Sequence, residues 1–82
     1  MEDRIRKTIQ QYAKLAVDAS ALGEHDDLYQ AGMTSHASVS LMLGLENEFD
    51  VEFPDRMLTR RVFESINSIR EALLELAHEQ AA

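Results

Sequence analysis

The sequence predicts an all-α fold, a small bundle of four helices with a long loop between the first and second and a short third helix. Apolar residues recur at steps of three and four in separate stretches, which is the spacing of one helix face. Turn-forming residues collect in the intervals between those stretches. Hydrophobic residues make up 45% and charged residues 28% of the 82 positions, ordinary globular values that exclude a disordered chain. At this length a second core could not be buried, so residues 1–82 are expected to form one domain.

The first helix is expected to begin near Glu2 or Asp3, where acids suit the positive end of the helix dipole. Ile5, Ile9, Tyr12, Ala13 and Ala16 define its apolar face, with Arg4, Lys7, Gln11 and Lys14 between them. From Asp18 to Thr34 the periodicity lapses and Ser20, Gly23, Asp26, Asp27 and Gly32 accumulate. A loop this long is uncommon in a small domain unless it is functional or pinned, and Leu22, Leu28 and Met33 are the expected anchors.

The second helix follows Ser35, which is expected to serve as its N-cap while presenting its hydroxyl to solvent. A rotation of about 100° per residue places Ser38, Leu41, Met42, Leu45 and Phe49 on one side, the expected core stripe. His36, Val39, Ser40, Leu43 and Asn47 gather opposite, with Glu46 on the flank. Val39 and Leu43 are then apolar residues on a face that meets water, and exposed apolar residues rimmed by polar ones mark a docking surface. Burial of this helix on both sides is the alternative. Gly44 in mid-helix has no explanation in the sequence, although it disfavours the helix by about 1 kcal/mol relative to alanine.

Phe53-Pro54-Asp55 ends the connection after the second helix, because proline disfavours helix at the preceding residue and suits a first turn. A short helical turn is expected from Asp55 to about Arg61. Arg56, Arg60 and Arg61 concentrate positive charge there, either to read an acidic partner surface or to pair with nearby carboxylates, and pairing is the expectation. Val62 and Phe63 pack before the last helix, which Ser65 caps and in which Ile66, Ile69, Leu73 and Leu76 form the apolar face. From His78 onward the helix is expected to fray.

Composition narrows the function classes. Acidic residues outnumber basic ones by 15 to 8, and a net charge of -7 disfavours nucleic acids and anionic lipid, favouring partners with basic patches. With no cysteine, disulfides, thiolate metal sites and a cysteine nucleophile are excluded, so any thiol chemistry must come from a cofactor. No apolar run reaches membrane-spanning length and no signal-peptide core is present, from which cytoplasmic residence and no membrane partner are expected.

The run Asp27-Leu28-Tyr29-Gln30-Ala31-Gly32-Met33-Thr34-Ser35-His36 resembles the acyl carrier protein family, whose hallmark is a serine at the start of the second helix. Val39, Leu41, Leu45, Glu46, Glu48, Phe49, Asp50, Glu52, Pro54 and Asp55 fall where such carriers place the same or similar residues, and the likeness spans Asp27 to Leu76. The resemblance implies the acyl-carrier-protein-like four-helix bundle, with 4'-phosphopantetheine derived from coenzyme A carried on Ser35. It also implies docking through His36, Val39, Ser40, Leu43, Glu46 and Asn47. Thr34 and His36 depart from the family's usual aspartate and leucine beside the serine, which bears on recognition by general-purpose modifying enzymes. These neighbours, with Ala37-Ser38-Val39 and Phe53-Pro54-Asp55-Arg56-Met57-Leu58, look most like small stand-alone carriers that accept amino acids from synthetase-like ligases.

The expected function is therefore a monomeric carrier that holds an aminoacyl or acyl group as a thioester. Its expected partners are a phosphopantetheinyl transferase, an ATP-dependent amino acid or acyl ligase and a downstream acceptor enzyme. The alternatives are a fatty-acyl or polyketide carrier, and an unmodified acidic helical adaptor docking through Val39 and Leu43. No catalytic or metal-binding residue is expected. His25 beside Asp26 and Asp27 reads as a solvated turn, and His36 beside Ser35 lacks the third orienting residue and oxyanion donor of a hydrolase.

Overall fold

Four helices pack around one apolar core in a computed structural model that describes residues 1–80. In chain order they are α1 (Glu2–Tyr12), α2 (Ser35–Phe49), α3 (Arg60–Phe63) and α4 (Ile66–Gln80), with 3-10 turns at Ala19–Ala21 and Asp55–Met57. No strand occurs among the described residues, and no helix there is long and apolar enough to cross a membrane. Ile5 and Ile9 of α1, Leu41 and Leu45 of α2, and Ile66, Ile69, Leu73 and Leu76 of α4 are sealed in the core.

Helix α1 stops earlier than its periodicity suggests. It ends at Tyr12, Lys14 takes a left-handed backbone conformation with φ 53°, and Ala16 is exposed outside the helix. The long loop that follows is strapped to α1 by side chains. Arg6 donates to the carbonyls of Ala19 (2.7 Å) and Leu22 (2.6 Å), and the Gln10 side-chain oxygen accepts from the Ala19 N–H (2.8 Å). Backbone bonds then stitch the loop to the α3–α4 corner, from the Leu28 N–H to the Glu64 carbonyl and from the Asn67 N–H to the Glu24 carbonyl. Leu22, Leu28 and Met33 are buried as expected, so apolar anchors hold the loop alongside its backbone bonds.

The position of Gly44 is explained by close helix packing. A β-carbon there would lie 2.5 Å from the Tyr12 ring, so glycine lets the ring of α1 rest directly on the backbone of α2. The buried stripe of α2 is Ala37, Leu41, Gly44 and Leu45, with Met42 and Phe49 half-buried against the core. Ser38 is half-buried rather than on that stripe, its hydroxyl donating to the Ser35 carbonyl at 2.7 Å.

The expected turn from Asp55 to Arg61 is instead divided. The 3-10 turn ends at Met57, and α3 starts afresh at Arg60 with Thr59 as its cap, accepting from the Val62 N–H. Phe53 and Phe63 meet edge to face at 5.2 Å beneath it. Ser65 caps α4 as expected, its hydroxyl accepting from the Ser68 N–H. Beyond His78, where fraying is expected, α4 continues to Gln80, with Arg56 paired to Glu79 (2.6 Å) and the Gln80 side chain donating to the Glu52 carbonyl (3.1 Å). Ala81 and Ala82 lie outside the described residues.

Candidate functional site

Ser35 is the first residue of α2, and its capping role belongs to Thr34. Thr34 is in the extended region and its hydroxyl accepts from the Ala37 N–H at 3.0 Å. The sequence expectation that Ser35 caps the helix is thus corrected by one position. A cap must leave helical geometry and turn its oxygen back to the helix, whereas the next residue is helical and directs its side chain outward. Ser35 is exposed, and its hydroxyl makes no hydrogen bond to any described residue. The hydroxyl is free because Thr34 does the capping.

The approach to the serine is equally defined. Asp27 accepts from the Tyr29 N–H through its carboxylate, the Met33 N–H bonds the Leu28 carbonyl, and Gly32 takes φ +114°, open to glycine at little strain. Met33 is buried directly before Thr34, which anchors the chain where it enters α2. Ser35 therefore stands on a fixed base.

A cleft of about 470 Å³ opens beside it between α2 and α3, lined by Tyr29, Val39, Met42, Leu58 and Phe63, with Arg60 at its side. The Arg60 guanidinium lies over the Tyr29 ring, 4.1 Å from its centre. On the outer face of α2, Val39 is 53% and Leu43 56% exposed, and His36 and Asn47 are exposed with them. Ser40 is half-buried. Glu46 is half-buried as well, and its carboxylate accepts from the Phe53 N–H at 2.8 Å, tying the following loop to α2.

Among the described residues no group of three or more histidines and carboxylates gathers as a metal site. Asp26 and Asp27 instead accept backbone N–H groups of their own turn, and His25 faces Glu24. Sequence reasoning missed the cleft walls Tyr29 and Leu58 and the placement of Arg60 beside Ser35. Those neighbours come together only through tertiary packing of the loop and α3 against α2. Sequence reasoning also missed Thr34 as the cap, although a threonine just before an apolar-periodic run is a capping signal.

An arrangement of this kind offers an attachment point. A phosphate ester at Ser35 would sit at the positive end of a helix of 15 residues, where a negative charge is favoured. The cleft gives a flexible arm an apolar wall to lie along.

The pattern described as "Phosphopantetheine attachment site" matches residues 3–75. The aminoacyl carrier protein of Agrobacterium fabrum is 41% identical over 73 residues, covering 89% of this chain and 88% of that protein. A carrier protein from Agrobacterium tumefaciens, solved with an engineered Bradyrhizobium japonicum glycine:[carrier protein] ligase and AMP, has a TM-score of 0.88 at 40% identity, covering 90% of this chain and 99% of that one. The structure of the Bradyrhizobium japonicum ligase complexed with glycylated carrier protein contributes a further match, with a TM-score of 0.74 at 28% identity over 87% of this chain and 95% of that one. With the family pattern running through α1, α2, α3 and most of α4, the chain belongs to the phosphopantetheine attachment site family.

Proposed function

We propose that this chain is an aminoacyl carrier protein, modified with 4'-phosphopantetheine on Ser35 and loaded with an amino acid as a thioester. The observation that carries the reading is the free hydroxyl of Ser35 at the first position of α2, with Thr34 taking the cap. In the modification step the Ser35 oxygen bonds to the pantetheine-side phosphorus of coenzyme A. The pyrophosphate P–O bond breaks, adenosine 3',5'-bisphosphate leaves, and the hydroxyl proton passes to a base of the transferase. The metal and the base belong to that enzyme. The arm then supplies the thiol that this cysteine-free chain lacks.

Loading is the work of an ATP-dependent amino acid:carrier protein ligase, the partner with which the similar carriers were solved. A downstream enzyme accepts the amino acid. This chain contributes reach and address, since tethering raises the cargo's effective concentration at whichever active site the carrier has docked on. His36, Val39, Leu43 and Asn47 form the docking face, with Ser40 and Glu46 at its border.

The cleft beside Ser35 favours a second cargo, because its apolar walls suit an alkyl chain. A fatty acyl thioester would leave the carrier role standing and change only what is carried. The test begins with the chain bearing its arm, mixed with the Bradyrhizobium japonicum ligase, ATP and glycine, and read by intact mass. One glycyl addition, removed by hydroxylamine and absent from Ser35→Ala, supports the aminoacyl carrier. An armed chain that accepts a fatty acid from an acyl ligase and refuses every amino acid contradicts it.

A further inference from the structure

The face around Ser35 is poor in acids in an otherwise acidic molecule, with Glu46 only at its border. Acidic residues number 15 against 8 basic ones overall, yet from Leu28 to Leu45 there is no aspartate or glutamate. Neither hollow flanking this region is lined by an acid. The larger brings Arg60 to Ser35 and Val39, and the smaller, of about 150 Å³, brings Lys14 and His36 to Thr34 and Ser40. Arg4, Arg6, Arg56 and Arg70 are all paired with glutamates elsewhere. Arg60 and Lys14 have no carboxylate partner among the described residues. The Arg60 guanidinium lies over the Tyr29 ring and makes no hydrogen bond to any described residue. Beside these cations stand the exposed apolar side chains Val39, Leu43 and Leu58.

Resting on the carrier reading above, we propose that this face docks a ligase surface that is apolar at its centre and carries carboxylates opposite Arg60 and Lys14. Net charge alone favours a basic partner, but the distance over which charges act decides otherwise. At physiological salt, screening sets in over about 8 Å, so the charges that count in docking are those on the contacting face. A basic surface laid on Val39 would meet Arg60, His36 and Lys14 first. Carboxylates there gain two unpaired cations, which sets orientation and encounter rate more than final affinity.

The probe is the Bradyrhizobium japonicum glycine:[carrier protein] ligase, with the armed chain as varied substrate and each preparation weighed intact beforehand. Arg60→Glu is expected to raise KM by about three- to tenfold with kcat within about twofold, the scale of one exposed charge pair made repulsive. Lys14→Asn removes the other cation while tolerating its left-handed backbone, and a rise of about threefold is expected. Glu71→Lys, in the separate hollow lined by Arg61, Asn67 and Glu75, leaves KM unchanged. Added salt raises KM of the parent more than that of Arg60→Glu. Unchanged or lowered KM in Arg60→Glu and Lys14→Asn, with the arm present and helical circular dichroism intact, overturns the proposal. So does an equal effect of Glu71→Lys. A chain that fails to acquire the arm is seen in the mass before any ligase is added, and counts against the attachment reading instead.

Discussion

On the proposed reading, Thr34 and Ser35 divide between them two tasks that one residue could not perform together. A capping hydroxyl is committed to the helix backbone, whereas an attachment hydroxyl must be free to attack phosphorus. Thr34→Ala should therefore lower stability by about 1 kcal/mol, measured by denaturant unfolding, while Thr34→Asp, which can still cap, should restore it. Gly44 presents a similar conflict. Alanine there gains about 1 kcal/mol of helix propensity, but its β-carbon meets the Tyr12 ring at 2.5 Å and overpacking of this sort costs about 1–3 kcal/mol. A net fall in melting temperature is expected for Gly44→Ala, and it should shrink when Tyr12 is replaced by leucine. The exposure of Ser35 could be foreseen from its place before an apolar-periodic run. The role of Gly44 could not, because the ring that forbids a side chain there belongs to a different helix.

Among the elements, the loop from α1 to α2 shows how a segment without helical or strand periodicity is held in place. Its apolar anchors were readable from the sequence because Leu22, Leu28 and Met33 interrupt a polar stretch. The straps from Arg6 and Gln10 were not, since nothing in α1's periodicity says where a polar side chain will reach. Asp18 starts the 3-10 turn in this loop. The Ser20 N–H first, and the Ser20 hydroxyl second, hold its carboxyl below the ordinary carboxylate value. Because the folded value is the lower one, what the turn gains is complete above the unfolded value of about 3.9 and is lost as pH falls through the folded value. Carbon-detected NMR titration should find the Asp18 midpoint below that of a free aspartate, and Ser20→Ala should move it up. For α2, the two apolar residues that face water were visible in the helical rotation, and Leu43→Asp should weaken ligase docking more than folding. Equal losses in thermal stability and in KM would place Leu43 in the core. The early stop of α1 and the split before α3 escaped the sequence because both are set by backbone turns, at Lys14 and at Leu58–Thr59, that carry no glycine or proline.

For the molecule as a whole, a small core and a fixed loop serve to present one side chain. α1, α2 and α4 bury most of the core with the loop and Phe63 of α3, α3 closes the cleft, and the acid-poor face left around Ser35 carries exposed Val39, Leu43 and Leu58. Fold class and family were readable because periodicity and a linear motif both lie within single segments. The distribution of charge was not, because it depends on which segments meet. The account stands on Ser35 becoming the root of a thiol-bearing arm, and the most direct measurement is the intact mass of the protein purified from its native cells, followed by fragmentation of the peptide containing Ser35. The account predicts a population heavier by one phosphopantetheinyl group, located on Ser35. Native protein at its unmodified mass, or bearing the group on Ser38 or Ser40, would contradict it.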